Sequence, residues 1–164
     1  MSHPFDVLPL KNGAAFIFTP CPGTKGTGLV ESIAALKQAG ANAIVTMLSS
    51  EELAHLQVAN VGEAAQAAGL GWYQLPIEDD CGPEAPFLAA FAQNKGELLA
   101  RINNQETLVI HCRGGTGRTG LMAAILLLEL GWPWSEVKPL IRSVRPKALT
   151  LKPQVDYLKA TYGC

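Results

Sequence analysis

The stretch that decides the fold is VIHCRGGTGRTG, residues 109–120, in which a glycine-rich turn joins an apolar strand to an apolar helix. Residues Thr107–His111 are short, β-branched and apolar, as expected of a central strand. Residues Arg118–Leu130 are almost wholly apolar, which predicts a helix in the middle of the molecule. The turn is therefore expected at the carboxyl end of a buried strand, next to a helix N-terminus.

The turn has the composition of an anion-binding loop. Successive backbone N–H groups would point into it, and the helix dipole would add positive potential. Gly114, Gly115 and Gly117 permit unusual backbone angles and close approach of a ligand. The same potential would stabilise a thiolate at Cys112, and Arg118 could offer a planar fork of donors to phosphate oxygens. A nucleophile, a backbone cradle and a guanidinium close together are the parts needed for phosphoryl transfer through a covalent intermediate.

Outside this segment, short apolar strands alternate with helical patterns. The alternation indicates one α/β domain over residues 1–164, with three layers and a central, mainly parallel sheet flanked by helices. Residues 1–12 precede the first predicted strand and are expected to pack loosely. The other predicted elements are strands Ala14–Thr19, Ala43–Leu48 and Gly71–Leu75, and helices Leu29–Ala39, Glu51 onward (capped by Ser49 or Ser50), Asn60–Ala68, Phe87–Ile102, Trp134–Val144 and Pro153–Thr161.

The charge, hydropathy and cysteine spacing of the chain argue against several classes of function. Over 164 residues the formal net charge is −1, so a broad basic surface for nucleic acid is not expected. The longest apolar run, Leu121–Leu128, is far too short to span a bilayer, and the first residues lack the pattern of a signal peptide. We therefore expect a cytoplasmic protein with no membrane span and with reduced thiols. The cysteines, at positions 21, 81, 112 and 164, lack the spacing of a zinc site, so no metal is expected.

The central segment fills every fixed position of the pattern HCxxGxxR[S/T]G, with His111-Cys112 first, Gly115 inside and Arg118-Thr119-Gly120 last. In this the chain resembles the protein tyrosine phosphatase superfamily. The strand–loop–helix context is also the one that the family uses. The resemblance implies the cysteine-phosphatase fold and a phosphatase activity that needs no metal or other cofactor.

Other segments extend the resemblance over residues 14–160. Leu75–Asp79, followed by Gly82-Pro83, is similar to the general-acid loop of the small dual-specificity phosphatases. Arg142-x-x-Arg145-Pro146 and Gln154 are similar to the kinase-associated phosphatase type and its bacterial relatives.

The resemblance implies a role for each matching residue. Cys112 would attack phosphorus as a thiolate and form a phosphocysteine, while Arg118 and the N–H groups of the loop would hold the phosphoryl oxygens. Thr119 would donate a hydrogen bond to the sulfur and help it leave, and His111 would support the loop and the thiolate from behind through its ring nitrogens. The implied substrate-binding residues are Arg113, Gly114, Gly115, Thr116 and Gly117.

The general acid is expected in the acidic loop at residues 77–86. Glu78, Asp79 and Asp80 are adjacent, so electrostatics does not choose among them. Alignment with the family favours Asp79 as the acid that protonates the leaving oxygen, with Asp80 as the alternative. The chain departs from the tyrosine-specific members at Thr150, where they carry a water-positioning glutamine, and this disfavours that subtype.

Other functions remain open from the sequence. The segment Gly115–Gly120 matches the dinucleotide pattern GxGxxG, but a helical sequence follows where that fold needs a strand and an acidic residue. A phosphoryl-binding module without turnover is a second alternative. A third keeps the chemistry on a phosphoinositide or another small phosphate; because the loop has Arg113 and no lysine, a phosphorylated protein is favoured. Cys81 could form a protective disulfide with an oxidised Cys112. The oligomeric state stays open.

Overall fold

The computed structural model describes residues 2–164 and contains a five-stranded sheet surrounded by helices. The strands are β1 (Asp6–Pro9), β2 (Ala15–Thr19), β3 (Ala43–Thr46), β4 (Gly71–Gln74) and β5 (Thr107–His111). The helices are α1 (Leu29–Gln38), α2 (Ser50–His55), α3 (Val61–Ala67), α4 (Ala85–Asn103), α5 (Gly117–Glu129), α6 (Trp134–Val144) and α7 (Lys152–Tyr162).

The sheet is mainly parallel, as predicted, and its order is β1-β2-β5-β3-β4. Strand β5 lies in the middle and pairs in parallel with β2 and β3. Its residues Leu108, Val109 and Ile110 are fully buried, because helices cover both faces of the sheet. Helix α5 is buried from Arg118 to Leu127, which confirms the prediction of a central helix. The result is a single α/β domain.

The predicted elements are confirmed to within two residues at each end. The side chain of Ser49, one of the two candidate caps, accepts a hydrogen bond from the Glu52 N–H at 3.1 Å and begins α2. Strand β1 was not predicted. It pairs antiparallel with β2 inside the segment that was expected to pack loosely, and Leu8 and Leu10 are buried.

The order of the strands brings several loops to one edge of the sheet. The chain crosses from β2 to β3 and returns later to place β5 between them. The carboxyl ends of these parallel strands therefore meet, as at the ligand sites of other open α/β sheets. Beyond the strand ends, Met47 N–H donates to the His111 carbonyl and Cys21 N–H donates to the Arg113 carbonyl, each at 3.0 Å. Among residues 2–164 no helix is both long enough and apolar enough to cross a bilayer.

Candidate active site

Cys112 follows β5 directly, and its sulfur lies at the base of the glycine-rich loop. The thiol is buried, with 4% of the residue exposed. Its sulfur accepts hydrogen bonds from the Gly115 N–H and from the Thr119 hydroxyl, each at 3.2 Å. Negative charge on the sulfur would strengthen both bonds. The structure thus places the predicted nucleophile and Thr119 in direct contact.

The loop is held tightly against the end of β2. Gly115 has φ +83°, and a Cβ there would lie 2.6 Å from the backbone carbonyl of Thr19, so a side chain does not fit. The guanidinium of Arg145 donates from Nε to the Gly115 carbonyl at 2.8 Å and from Nη2 to the Phe18 carbonyl at 3.2 Å. Arg145 therefore joins the loop to the sheet.

Arg118 is in the first turn of α5 and is 2% exposed. Its Nη1 and Nη2 donate to the two carboxylate oxygens of Glu52 at 2.8 and 3.0 Å, and Nη1 also donates to the Ile77 carbonyl at 3.0 Å. Its Nε has no hydrogen-bond partner among residues 2–164. A buried guanidinium that is fixed through its terminal nitrogens thus retains one free donor.

His111 connects the loop to the sheet behind it. The Cys112 carbonyl can only accept a hydrogen bond, so His111 donates to it from Nδ1 at 3.1 Å. His111 Nε2 then accepts from the Thr46 hydroxyl at 2.7 Å, and Trp72 Nε1 donates to the same hydroxyl at 2.8 Å. Complete burial lowers the pKa of His111 to about 4, so the imidazole is neutral near pH 7. Its contact with the loop is through the backbone carbonyl of Cys112.

The acidic loop after β4 folds over the same site. The Cys81 N–H donates to the Glu78 carbonyl at 3.0 Å and closes a turn in which Asp80 has φ +61°. An oxygen of Asp79 lies 3.5 Å from Arg118 Nη2, and this carboxylate is 65% exposed. Asp79 is thus the candidate acid whose carboxylate pairs with Arg118.

These groups surround a pocket of about 330 Å³, which we call the catalytic pocket. Gln154 of α7 also reaches it. Its Nε2 donates to the Cys81 carbonyl at 3.3 Å, and its buried Oε1 has no partner among residues 2–164. Of the predicted site residues, Gly115, Thr119 and His111 support the pocket from behind. The lining residues are Lys25, Asp79, Asp80, Cys112, Arg113, Gly114, Thr116, Gly117, Arg118, Leu151 and Gln154.

Glu52 has a role in the site that the sequence pattern did not predict. It was one of the acidic residues that predicted the start of α2, and this helix-start signal fully explains an acidic residue in a first turn. A signal for its second role does exist, because α2 follows β3 and β3 lies beside β5 at the edge where the loops meet. The pairing with Arg118 still depends on three-dimensional geometry.

All four cysteines are free thiols. Burial raises the pKa of Cys21 to about 12, which keeps this thiol protonated beneath the loop. The ligand atoms of Glu78, Cys81 and Glu84 lie within 4.8 Å of one another and could contact one cation. Two of the three side chains are exposed, and no further histidine, cysteine, aspartate or glutamate of residues 2–164 joins the group.

The chain is similar to known phosphatases. The family model described as "Swiss Army Knife protein, DSP-PTPase phosphatase domain" matches residues 24–160. Cyclin-dependent kinase inhibitor 3 from Homo sapiens is 34% identical over 95 residues, which make up 58% of this chain and 43% of that protein. A probable protein tyrosine phosphatase type IVA A from Dictyostelium discoideum is 31% identical over 97 residues, 59% of this chain and 57% of that protein. The matches thus span about half the length of these curated relatives.

Solved structures share the fold at low sequence identity. A kinase associated phosphatase carrying serine in place of its catalytic cysteine superposes with a TM-score of 0.84 at 24% identity, covering 100% of this chain and 98% of that chain. Tk-PTP in its active form gives a TM-score of 0.72 at 20% identity and covers 96% of each chain.

Proposed function

The chain belongs to the DSP-PTPase phosphatase domain family, and from this premise we propose that it hydrolyses phosphomonoesters of proteins through a phosphocysteine on Cys112. One observation carries the proposal. The Cys112 sulfur accepts two hydrogen bonds at the base of a pocket that buried Arg118 also lines, and the Nε of Arg118 is an unpaired donor. This combination supports attack by sulfur on a phosphoryl group whose oxygens are held by Arg118.

In the first half-reaction the Cys112 thiolate attacks phosphorus in line with the leaving oxygen. A sulfur–phosphorus bond forms and the phosphorus–oxygen ester bond breaks. The Nε of Arg118 and the backbone N–H groups of residues 113–118 stabilise the charge on the phosphoryl oxygens. Asp79, in its protonated form, gives its proton to the leaving alkoxide or phenoxide.

In the second half-reaction water attacks the phosphocysteine. Asp79, now a carboxylate, takes a proton from this water, as microscopic reversibility requires. The sulfur–phosphorus bond breaks, inorganic phosphate leaves, and the Thr119 hydroxyl stabilises the thiolate that is released. The unpartnered Oε1 of Gln154 could accept a hydrogen bond from the same water. His111 fixes the Cys112 carbonyl and hence the start of the loop.

Phosphorylated protein is the substrate class that the charge distribution favours. Lys25 and Arg113 are the exposed cations that line the catalytic pocket in residues 2–164, which is a small positive rim for a polyphosphorylated inositol ring. Carboxylates of Asp79 and Asp80 line the same pocket, and Glu78 lines the neighbouring cavity. A ligand with one phosphate therefore fits this surface better than a ligand with several.

The direct test is hydrolysis of p-nitrophenyl phosphate between pH 5 and 8, with and without a metal chelator. We expect turnover that the chelator leaves unchanged. Cys112→Ser should abolish it, and Arg118→Lys should lower kcat/KM by about 10²–10³-fold, the usual loss when a transition-state donor is removed. Cys164→Ser, which changes a cysteine outside the pocket, should keep wild-type kinetics. If the protein binds phosphate but shows no turnover at any of these pH values, the proposed phosphatase activity is contradicted and the chain is a phosphoryl-binding module.

A further inference from the structure

A second cavity of about 970 Å³ adjoins the catalytic pocket, and we call it the acidic groove. It lies between α2, the segment Pro76–Asp79 and the start of α4. Pro76, Ile77 and Pro86 contribute apolar walls. Its acidic lining residues are Glu51, Glu52, Glu78, Asp79 and Glu84.

The groove holds more negative charge than the protein itself neutralises. Glu52 and Asp79 face Arg118, at the border with the catalytic pocket. Glu51, Glu78 and Glu84 make no ion pair with any residue between 2 and 164, and all three are exposed. The lining contains no lysine or arginine, and His55 is its one histidine. A positively charged ligand group in the groove would therefore meet uncompensated carboxylates.

The groove borders the catalytic pocket, because Asp79 lines both. The two cavities differ in charge. Three cations, Lys25, Arg113 and Arg118, and two carboxylates line the catalytic pocket, whereas the groove is lined by five carboxylates and by no lysine or arginine. One ligand that fits both must carry a phosphate at one end and a cation a short distance away.

We propose that the acidic groove binds a lysine or arginine side chain of the substrate protein, close in sequence to the phosphorylated residue. The inference rests on the proposed phosphatase function and adds a sequence preference to it. An extended peptide advances about 3.3 Å per residue, so a basic residue within about three positions of the phosphate has the required reach. The walls at Pro76 and Pro86 suit the methylene stem of such a side chain, while the carboxylates meet its charged end.

The same charges act against other ligands. A peptide with aspartate or glutamate beside the phosphoresidue would bring like charges together in the groove, which raises the free energy of binding. The groove therefore discriminates between phosphorylated sequences as well as attracting basic ones.

The test uses matched phosphopeptides that differ only in the residues within three positions of the phosphoresidue, with arginine, glutamine or glutamate there. Both phosphotyrosine and phosphothreonine series are used. We expect kcat/KM for the arginine peptide to exceed that for the glutamine peptide by about tenfold, which is the effect of two exposed ion pairs between the arginine and the groove. The glutamate peptide should have the lowest kcat/KM. The preference should shrink in 0.5 M salt because exposed charges are screened.

The double variant Glu51→Gln/Glu84→Gln removes two charges of the groove while leaving the catalytic residues intact. It should reduce the arginine preference to threefold or less and leave hydrolysis of p-nitrophenyl phosphate unchanged. Glu63→Gln on α3, which removes an exposed charge outside the groove lining, should keep the full preference. Equal kcat/KM for arginine and glutamine peptides in the wild type, or an unchanged preference in the double variant, would overturn the inference.

A binding measurement separates the two proposals. The Cys112→Ser protein, which cannot turn over substrate, should bind the arginine peptide about tenfold more tightly than the glutamine peptide in fluorescence anisotropy. If p-nitrophenyl phosphate is not hydrolysed but this difference in affinity is present, the proposal for the groove is supported and the proposed phosphatase activity is contradicted. If hydrolysis occurs and the difference in affinity is absent, the proposal for the groove is contradicted and the proposed phosphatase activity is supported.

Discussion

At the scale of single residues, Arg118 links the elements that surround the catalytic pocket. Its guanidinium joins α2 through Glu52 and the acidic loop through the Ile77 carbonyl and Asp79. A buried cation with a two-point partner has one orientation, and in that orientation Nε remains available. Glu52 is therefore a positioning residue for Arg118.

We predict that Glu52→Gln lowers kcat/KM for p-nitrophenyl phosphate by about tenfold or more and weakens inhibition by inorganic phosphate. The substitution leaves a buried guanidinium without its charged partner, so the melting temperature should also fall. Glu51→Gln changes the adjacent, exposed carboxylate and should leave kcat/KM for p-nitrophenyl phosphate and the inhibition by inorganic phosphate unchanged. A Glu52→Gln protein with a lower melting temperature but wild-type phosphate inhibition would show a structural role alone.

Asp79 and Asp80 can be separated by the basicity of the leaving group. We predict that Asp79→Asn lowers kcat by about 10²–10⁴-fold for a phosphotyrosine peptide and by much less for p-nitrophenyl phosphate, whose leaving group needs little protonation. Asp80→Asn should have a small effect on both substrates. If Asp80→Asn shows the larger loss, Asp80 is the acid.

At the scale of elements, the end of α6 supports the glycine-rich loop from behind. Arg145 reaches from α6 to the carbonyls of Gly115 and Phe18, and its Nη1 pairs with Asp6 of β1 at 2.7 Å. One side chain thus joins a helix, the loop and two strands. The loop carbonyl that it fixes belongs to the residue whose N–H donates to the Cys112 sulfur.

We predict that Arg145→Met slows alkylation of Cys112 by iodoacetate and lowers kcat/KM, because the loop loses its donor at the Gly115 carbonyl and the N–H beside the sulfur shifts. Arg142→Met is the matched control, since Arg142 lies on the same helix and donates only to the exposed Pro146 carbonyl. Equal alkylation rates in the two variants would exclude Arg145 as a support of the loop.

The elements that could be predicted from sequence are those whose signals are local. The β5–loop–α5 segment combines an apolar strand, three glycines and an apolar helix within one continuous stretch, so its form and chemistry follow from neighbouring residues. Strand β1 could not be predicted, because it is four residues long, ends in Pro9 and is ordered by its pairing with β2. Glu52 was missed for a related reason: its role depends on Arg118, which is 66 positions away.

At the scale of the whole molecule, two buried histidines couple folding to pH. Burial lowers the pKa of His111 to about 4 and also lowers the pKa of His3, which is 1% exposed and hydrogen-bonded to Thr19. An unfolded chain would bind protons at these residues near pH 6.5, whereas the folded protein does not. Protonation therefore favours the unfolded state between about pH 4 and 6.5.

We predict that the free energy of unfolding, measured by urea denaturation, increases as the pH rises from 4 to 6.5. Between pH 4 and 6.5, His111 should add about 3 kcal/mol to the free energy of unfolding. Above pH 6.5 this contribution should no longer change with pH. In His111→Asn the same measurement should give a flatter profile, since the asparagine does not titrate. An equally steep profile in this variant would mean that His111 does not couple folding to pH.

The hydrogen-bonded chain from Trp72 through Thr46 and His111 to Cys112 also couples the fluorescence of Trp72 to the glycine-rich loop. The indole of Trp72 is three hydrogen bonds away from the carbonyl of Cys112, while the other two tryptophans, Trp132 and Trp134, lie at the junction of α5 and α6. With those two replaced by phenylalanine, the remaining emission would report rearrangement of the loop in real time. Pre-steady-state kinetics of phosphocysteine formation could then be followed by stopped flow without an attached dye.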